Sequence, residues 1–231
     1  MESGYRETLL LRIIQEIDRV FIISDTHFFH NNMLLYEPTR MVYLDTHESF
    51  EDFLIENWND TVTDRDIVIH LGDFVFKDAS KFTDDIRLRG KKILVLGNHD
   101  YRKRNIPYLE KIFDYIIRDG TVLNLNKGGT EEIPTGDRAV NGIILGYDGM
   151  KILLSHYPVF QYDEYDRDRI ELLHRFYRQH NCLLNIHGHV HYKDEVHYDL
   201  FNASVERIDF KPRRLLEIIK QWKEYTASVK R

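Results

Sequence analysis

The chain of 231 residues has a single cysteine, Cys182, so no internal disulfide can staple it. It has no apolar run approaching the ~18 residues that a membrane-spanning helix needs. The opening MESGYRETLLLRIIQEIDR lacks the basic-then-apolar order of a secretory leader. A basic excess is also missing: 32 Lys and Arg face 38 Asp and Glu, for a net charge of −6 with histidine neutral. That balance offers no general attraction to a phosphate backbone or an anionic membrane, so a nucleic-acid partner would need a local basic patch. No repeat, low-complexity tract or linker interrupts the chain. The expectation is one soluble, cytoplasmic domain spanning 1–231, because either half alone would be short of core. What the chain does have is histidine, twelve in all.

Leu9, Leu10, Ile13, Ile14 and Ile17 recur at helical spacing and predict an amphipathic helix within 1–19, ahead of the first strand. RVFIIS then changes the period: it is short, β-branched and almost wholly apolar, as a strand buried on both faces should be. The same type returns at 66–73, 91–100, 150–158 and 182–191, and each of the five runs ends in polar residues of metal-ligand type. Helical patterns fall over 49–62, 79–89, 107–113 and 162–180, with a closing helix over 213–231 that turns Leu215, Leu216, Ile219 and Trp222 inward. Residues 124–142 read as a surface hairpin or loop, and FNASVERIDFKP as an edge strand stopped by Pro212. Strands alternating with helices predict an α/β layered domain.

The tripeptide Asp-Thr-His occurs twice. The copy at Asp45 to His47 precedes Ser49, Asp52 and the run Phe50, Phe53, Leu54, Trp58, where a helix start needs side-chain acceptors, so it reads as capping. The copy at Asp25 to His27 ends a buried strand and sets a carboxylate and an imidazole two residues apart, able to grip one ion. The other strand ends supply Gly72-Asp73, Gly97-Asn98-His99-Asp100, His156 and Gly188-His189-Val190-His191. The glycines allow sharp exits from the sheet. Carboxylates mixed with imidazoles suit Mn, Fe or Zn, whereas calcium takes oxygen alone.

The ordered series D-x-H, G-D, G-N-H-D, H, G-H-x-H resembles the signature of the calcineurin-like metallophosphoesterases, from Asp25 to His191 with no block missing. The resemblance implies an α+β fold of two facing mixed sheets flanked by helices, a four-layer αββα sandwich. It implies two divalent ions, Mn2+ first, with Fe, Zn or Ni as alternatives. By the family pattern Asp25, His27, Asp73 and His191 hold one ion, and Asp73, Asn98, His156 and His189 the other, with Asp73 bridging. DTHFFHNN and NASVE are similar to a small prokaryotic-type branch that reads D-T-H-F-G-H-x-N, with Phe29 in place of its glycine and a role for Asn202 and Glu206 left open. GDFVFKD, with Phe76 and Lys77, lacks the D-R-G ending of the Ser/Thr protein phosphatases. The helix before the first strand adds to the minimal domain.

The activity implied is hydrolysis of small phosphomonoesters or phosphodiesters, nucleotides included, by a hydroxide that the two ions activate beside Asp73. His99 then stands as the acid that protonates the leaving oxygen, with Asp100 either orienting it or bonding the backbone of its turn. His30, Arg40, Asn98 and His99 are candidate substrate contacts, with Tyr36 beside Arg40. His70 reads as packing, His187 as strand interior, and 162–180 as a solvated face or a lid. A nuclease of the same fold is the alternative and would need a basic channel. A non-catalytic scaffold comes third, since it should have lost ligands. The physiological substrate, the native metal and the oligomeric state stay open.

Overall fold

The computed structural model describes residues 2–76, 78–83, 86–118, 120–135, 140–160, 166–193 and 197–229. The first half of the chain runs α1 (Glu2–Gln15), β1 (Val20–Ile23), α2 (Met33–Tyr36), α3 (Phe50–Thr61), β2 (Ile67–His70), β3 (Lys91–Val95), α4 (Ile106–Ile112) and β4 (Tyr115–Ile117). The second half runs β5 (Thr121–Asn126), β6 (Gly129–Pro134), β7 (Gly142–Tyr147), β8 (Met150–Leu154), α5 (Arg167–Gln179), β9 (Leu184–His187), β10 (Leu200–Asn202), β11 (Arg213–Arg214) and α6 (Leu215–Val229). None of the helices is long and apolar enough to cross a membrane among the described residues.

Two mixed sheets result. The first has the order β11-β1-β2-β3-β4, with β1 to β4 parallel and β11 antiparallel. The second has the order β10-β9-β8-β7-β5-β6, with β8, β9 and β10 parallel. Every residue of β1 and β2 is buried, as their unbroken apolar runs require. The second sheet shows the period of two that a sheet covered on both faces must have. Ile143, Leu145, Ile152 and Leu154 enter the core shared with the first sheet, while Ile144 and Leu153 point the other way, to Ile170, Leu173 and Tyr177 of α5. Leu54 and Trp58 of α3, Leu109 of α4 and Ile218 of α6 join the shared core, giving sheets flanked by helices. α1 lies along β5 and β6 and adds Leu9, Leu10 and Ile13 to that core.

Ser49 caps α3 as expected: its Oγ accepts from the Asp52 amide at 3.1 Å and donates to the Asp52 carboxylate at 2.7 Å. The second Asp-Thr-His itself does no capping: Thr46 Oγ1 donates to the Tyr43 carbonyl at 3.2 Å and His47 Nε2 meets Glu56, in the middle of α3, at 3.0 Å, so the cap is Ser49 alone. Over 79–89 the expected helix is replaced by a 3-10 turn at Ala79–Lys81, with 84 and 85 outside the described residues. The reason is competition for backbone: the Arg89 amide, which a helix would bond to the carbonyl four residues back, donates to Asn59 Oδ1 of α3 at 2.9 Å, while the Arg87 and Arg89 carbonyls accept from Asn59 Nδ2 and Trp58 Nε1 at 2.8 and 2.9 Å. Residues 124–142 contain a true hairpin, β5 with β6, but one built into the second sheet; 136–139 lie outside the described residues. The expected edge strand at 201–212 shrinks to β10, after which the chain turns into a 3-10 helix at Val205–Arg207.

Candidate metal centre

The five motif blocks follow the C-terminal ends of β1, β2, β3, β8 and β9. In open sheets with parallel strands this is the edge at which ligands bind. The loops there are strained in a consistent way: Asp25 (φ +58°), His27 (+48°), Asp73 (+56°), His189 (+72°) and His191 (+50°) all sit in the left-handed region. Each such non-glycine residue costs on the order of 1 kcal/mol, and strain of this kind clusters at functional sites. Phe29, where the branch carries glycine, takes the same conformation with φ +63°. The loop keeps its shape because Phe29 packs on Phe28 and Phe82 and its amide donates to Glu51 at 2.8 Å.

The glycines act mainly by what they lack. Of Gly72, Gly97 and Gly188, Gly72 alone has positive φ, +100°. A Cβ on Gly97 would lie 2.4 Å from the Asp73 amide nitrogen, and one on Gly188 would lie 2.0 Å from Ser24 Oγ and 2.2 Å from Asp25 Oδ2. The sharp exits inferred from sequence are therefore, at Gly97 and Gly188, places where two loops touch. Gly188→Ala is expected to lower stability by about 1–3 kcal/mol and to displace Asp25. Thermal melts with and without added Mn2+ check this, and a melt matching wild type in both conditions would contradict it.

The loops bring ligand-type atoms together. Those of Asp25, His27 and His191 lie within 4.8 Å of one another, as do those of Asp25, Asp73 and His156 and those of His27, Asp73 and His99. Asp73 is at the middle: its Oδ2 is 3.5 Å from His27 Nε2, 3.6 Å from His156 Nε2 and 3.8 Å from His99 Nε2. Asn98 Oδ1 faces His156 Nε2 at 2.9 Å. His189 reaches the group through its ring, 5.1 Å from that of His156, while its amide donates to Asp25 Oδ2 at 2.9 Å.

Outer partners aim these rings. His156 Nδ1 donates to the Leu71 carbonyl at 2.9 Å, His191 Nδ1 faces Glu206 at 3.2 Å, and His189 Nε2 faces Asp166 at 3.5 Å. In the rings of His156 and His191 the other nitrogen, Nε2, faces the carboxylates, 3.6 Å from Asp73 Oδ2 and 4.0 Å from Asp25 Oδ1, the arrangement typical of metal-ligating histidine. Burial pushes His156 down to about 3, so its ring is neutral and its Nε2 carries a lone pair. That lone pair meets the Asn98 oxygen, acceptor against acceptor, at a separation of 2.9 Å. Two ligands at right angles on an ion about 2.1 Å away would be roughly 3 Å apart. Both ring nitrogens of His27 and Asp25 Oδ1 are buried with no hydrogen-bond partner among the described residues, which is costly unless a cation meets them. Burial pushes Asp73 well above the usual carboxylate range, and the charges of Asp100 and Asp25 add to the shift. Burial likewise holds His27 well below its ordinary value, with the nearby charges of His191 and Arg40 adding. These donors fit divalent cations.

Asp100 resolves in favour of the backbone role. Its carboxylate accepts from the amides of Asp73 at 2.7 Å, Gly97 at 3.0 Å and Phe74 at 3.1 Å, clipping the loops after β2 and β3 together. Burial still raises it to about 7. His70 does more than pack. Thr26 Oγ1 donates to the Phe74 carbonyl, so His70 Nε2 must donate to Thr26, while His70 Nδ1 accepts from the Gly72 amide at 3.2 Å. His187 sits at the end of β9 with Nδ1 on the Gly188 carbonyl at 2.8 Å. His30 stacks on Phe76 with centroids 3.4 Å apart, 5.7 Å from the His27 ring.

Arg40 corrects the sequence reading. It is fully buried, donates to the Asp25 and Thr26 carbonyls and to Glu206, and cannot meet a substrate. The sequence offers it as a substrate contact because the 3-10 segment Pro38–Asp45 carries no periodic pattern that marks a buried face. Tyr36, expected beside it, is exposed. Asp166, Ser204 and the role of Glu206 were not anticipated. Ser204 Oγ donates to Asp25 Oδ2 at 3.0 Å, and Asn202 Nδ2 donates to the His191 carbonyl at 2.6 Å. The N-x-S-x-E segment thus supports the loops of the site, a reading available only once β10 is placed beside β9.

Known proteins resemble the chain in sequence and in fold. An uncharacterized protein of Methanocaldococcus jannaschii, MJ1445, is 26% identical over 213 residues, 87% of this chain and 90% of that protein. The crystal structure of AQ665, a protein of unknown function from Aquifex aeolicus, matches with a TM-score of 0.63 and 31% identity, over 87% of this chain and 98% of the other. The family model for calcineurin-like phosphoesterase matches residues 18–193, which contain every motif block from Asp25 to His191, and the chain belongs to that family.

Proposed function

We propose that this protein is a phosphoesterase that hydrolyses small phosphomonoesters or phosphodiesters with two divalent ions, Mn2+ first among them. The observation that carries the reading is the acceptor pair of His156 Nε2 and Asn98 Oδ1 at 2.9 Å, set 3.6 Å from the central Asp73 carboxylate. When bound, two such ions supply Lewis-acid stabilisation of the phosphoryl oxygens and bring the pKa of water toward neutrality. Asp25, His27, Asp73 and His191 would hold one, and Asp73, Asn98, His156 and His189 the other. Asp73 is the member common to both sets, kept in place by the His99 amide on Oδ1 at 2.9 Å. The His99 side chain is partly exposed beside the carboxylates, in position to hold a proton for the leaving oxygen. A cavity of about 280 Å³ adjoins His27 and His30 and is lined by Met33, Tyr43 and Phe50, room for a compact leaving group.

The net charge of −6 favours small esters over polynucleotides. Initial rates with Mn2+ on bis(p-nitrophenyl) phosphate, p-nitrophenyl phosphate, cyclic nucleotides and single-stranded DNA at fixed salt test this. Turnover of small esters that chelation abolishes is expected. Rapid DNA cleavage with negligible action on the esters would replace this reading with the nuclease. Mn2+ at about 100 times its Kd should also stabilise the chelated protein by roughly 2.7 kcal/mol per site.

A further inference from the structure

We infer that the buried Arg40–Glu206 pair is a positioning device for one half of the metal centre, setting the affinity for the ion assigned to Asp25, His27 and His191. The inference rests on the dinuclear reading above. Both side chains are fully buried, with Arg40 Nη2 2.6 Å from Glu206 Oε1. A buried pair of this kind is a poor source of stability, because apolar residues of similar volume commonly do as well or better. Its contacts show a different use. Arg40 Nη2 donates to the Asp25 carbonyl at 2.6 Å and Nη1 to the Thr26 carbonyl at 3.0 Å, gripping the turn in which Asp25 holds φ +58°. The Glu206 oxygen that accepts from Arg40 Nε also faces His191 Nδ1 at 3.2 Å, which turns Nε2 toward Asp25 Oδ1, 4.0 Å away. The Asp25–His27 turn and the His191 ring therefore hang from one ion pair 166 residues apart in sequence. His156 is aimed by the Leu71 carbonyl and His189 by Asp166.

Titration calorimetry of Mn2+ into chelator-stripped protein tests the inference without any assay of turnover. Glu206→Gln keeps the shape and removes the charge; it should weaken one of two binding events by about 10- to 100-fold and leave the other unchanged. Arg40→Met/Glu206→Gln leaves no unpaired buried charge and should show the same one-sided loss, which carries the test where the single variant does not fold. Two unchanged binding events in the variants, or equal weakening of both, would overturn the inference alone. A wild-type protein that takes fewer than two ions would overturn it together with the dinuclear reading.

Discussion

Asp73→Asn is expected to lower hydrolysis of every phosphoester by on the order of 1,000-fold, while the chelated protein melts no lower than wild type and gains little from added Mn2+. The side chain is almost fully buried among three imidazoles, each within 3.8 Å of Oδ2, and an amide there keeps the shape but loses the charge that two ions would share. The stability half of the expectation follows from linkage. Burial raises the Asp73 pKa above its ordinary 3.8, so its contribution to stability is full below that value and is lost as pH rises toward the folded-state value. At neutral pH the chelated wild type bears that cost and the amide does not. A variant that melts well below wild type after chelation, or that hydrolyses esters as fast, would contradict the role given to Asp73.

The second large effect separates proton donation from positioning. An alkoxide leaving group needs a proton badly and p-nitrophenolate does not, so a general acid matters in proportion to that need. His99→Asn should cost about 100-fold or more on alkyl or ribose esters and much less on p-nitrophenyl esters, with Mn2+ content unchanged. The structure sharpens this test, since His99 Nε2 lies 3.8 Å from Asp73 Oδ2 and within ligand range of His27 and Asp73. Burial lowers its pKa while the Asp25 charge works the other way, so the neutral ring is favoured before an anionic substrate arrives. Equal losses on both classes of ester with both ions retained would make His99 a hydrogen-bond donor to the phosphoryl group. Loss of an ion would make it a ligand.

The parts of the fold that were legible in sequence are those with strong local signals. β1, β2, β3, β8 and β9 are continuous apolar runs that end in metal-ligand residues, and the α3 cap reads directly from Ser49 and Asp52. The strands β4 to β7 were not separated, because three residues at Tyr115–Ile117 and the half-exposed β6 carry little periodicity. Residues 79–89 failed for a tertiary reason, the capture of the Arg89 amide, with the Arg87 and Arg89 carbonyls, by side chains of α3. In the site, motif residues were legible because chemistry restricts their type. Arg40, Glu206 and Asp166 were not, since what they do depends on packing between segments far apart in sequence. Gly97 and Gly188 lie between these cases: the sequence marks them, and only the structure shows that an Asp73 amide or a Ser24 hydroxyl occupies the space of the missing Cβ.

The central claim is that one chain holds two divalent ions around Asp73. Elemental analysis of protein purified without chelator and supplied with Mn2+ measures this directly. Close to two ions per wild-type chain and a clear deficit in Asp73→Asn are expected. A wild-type chain that saturates at a single ion, or an Asp73→Asn chain that still holds two, would contradict it.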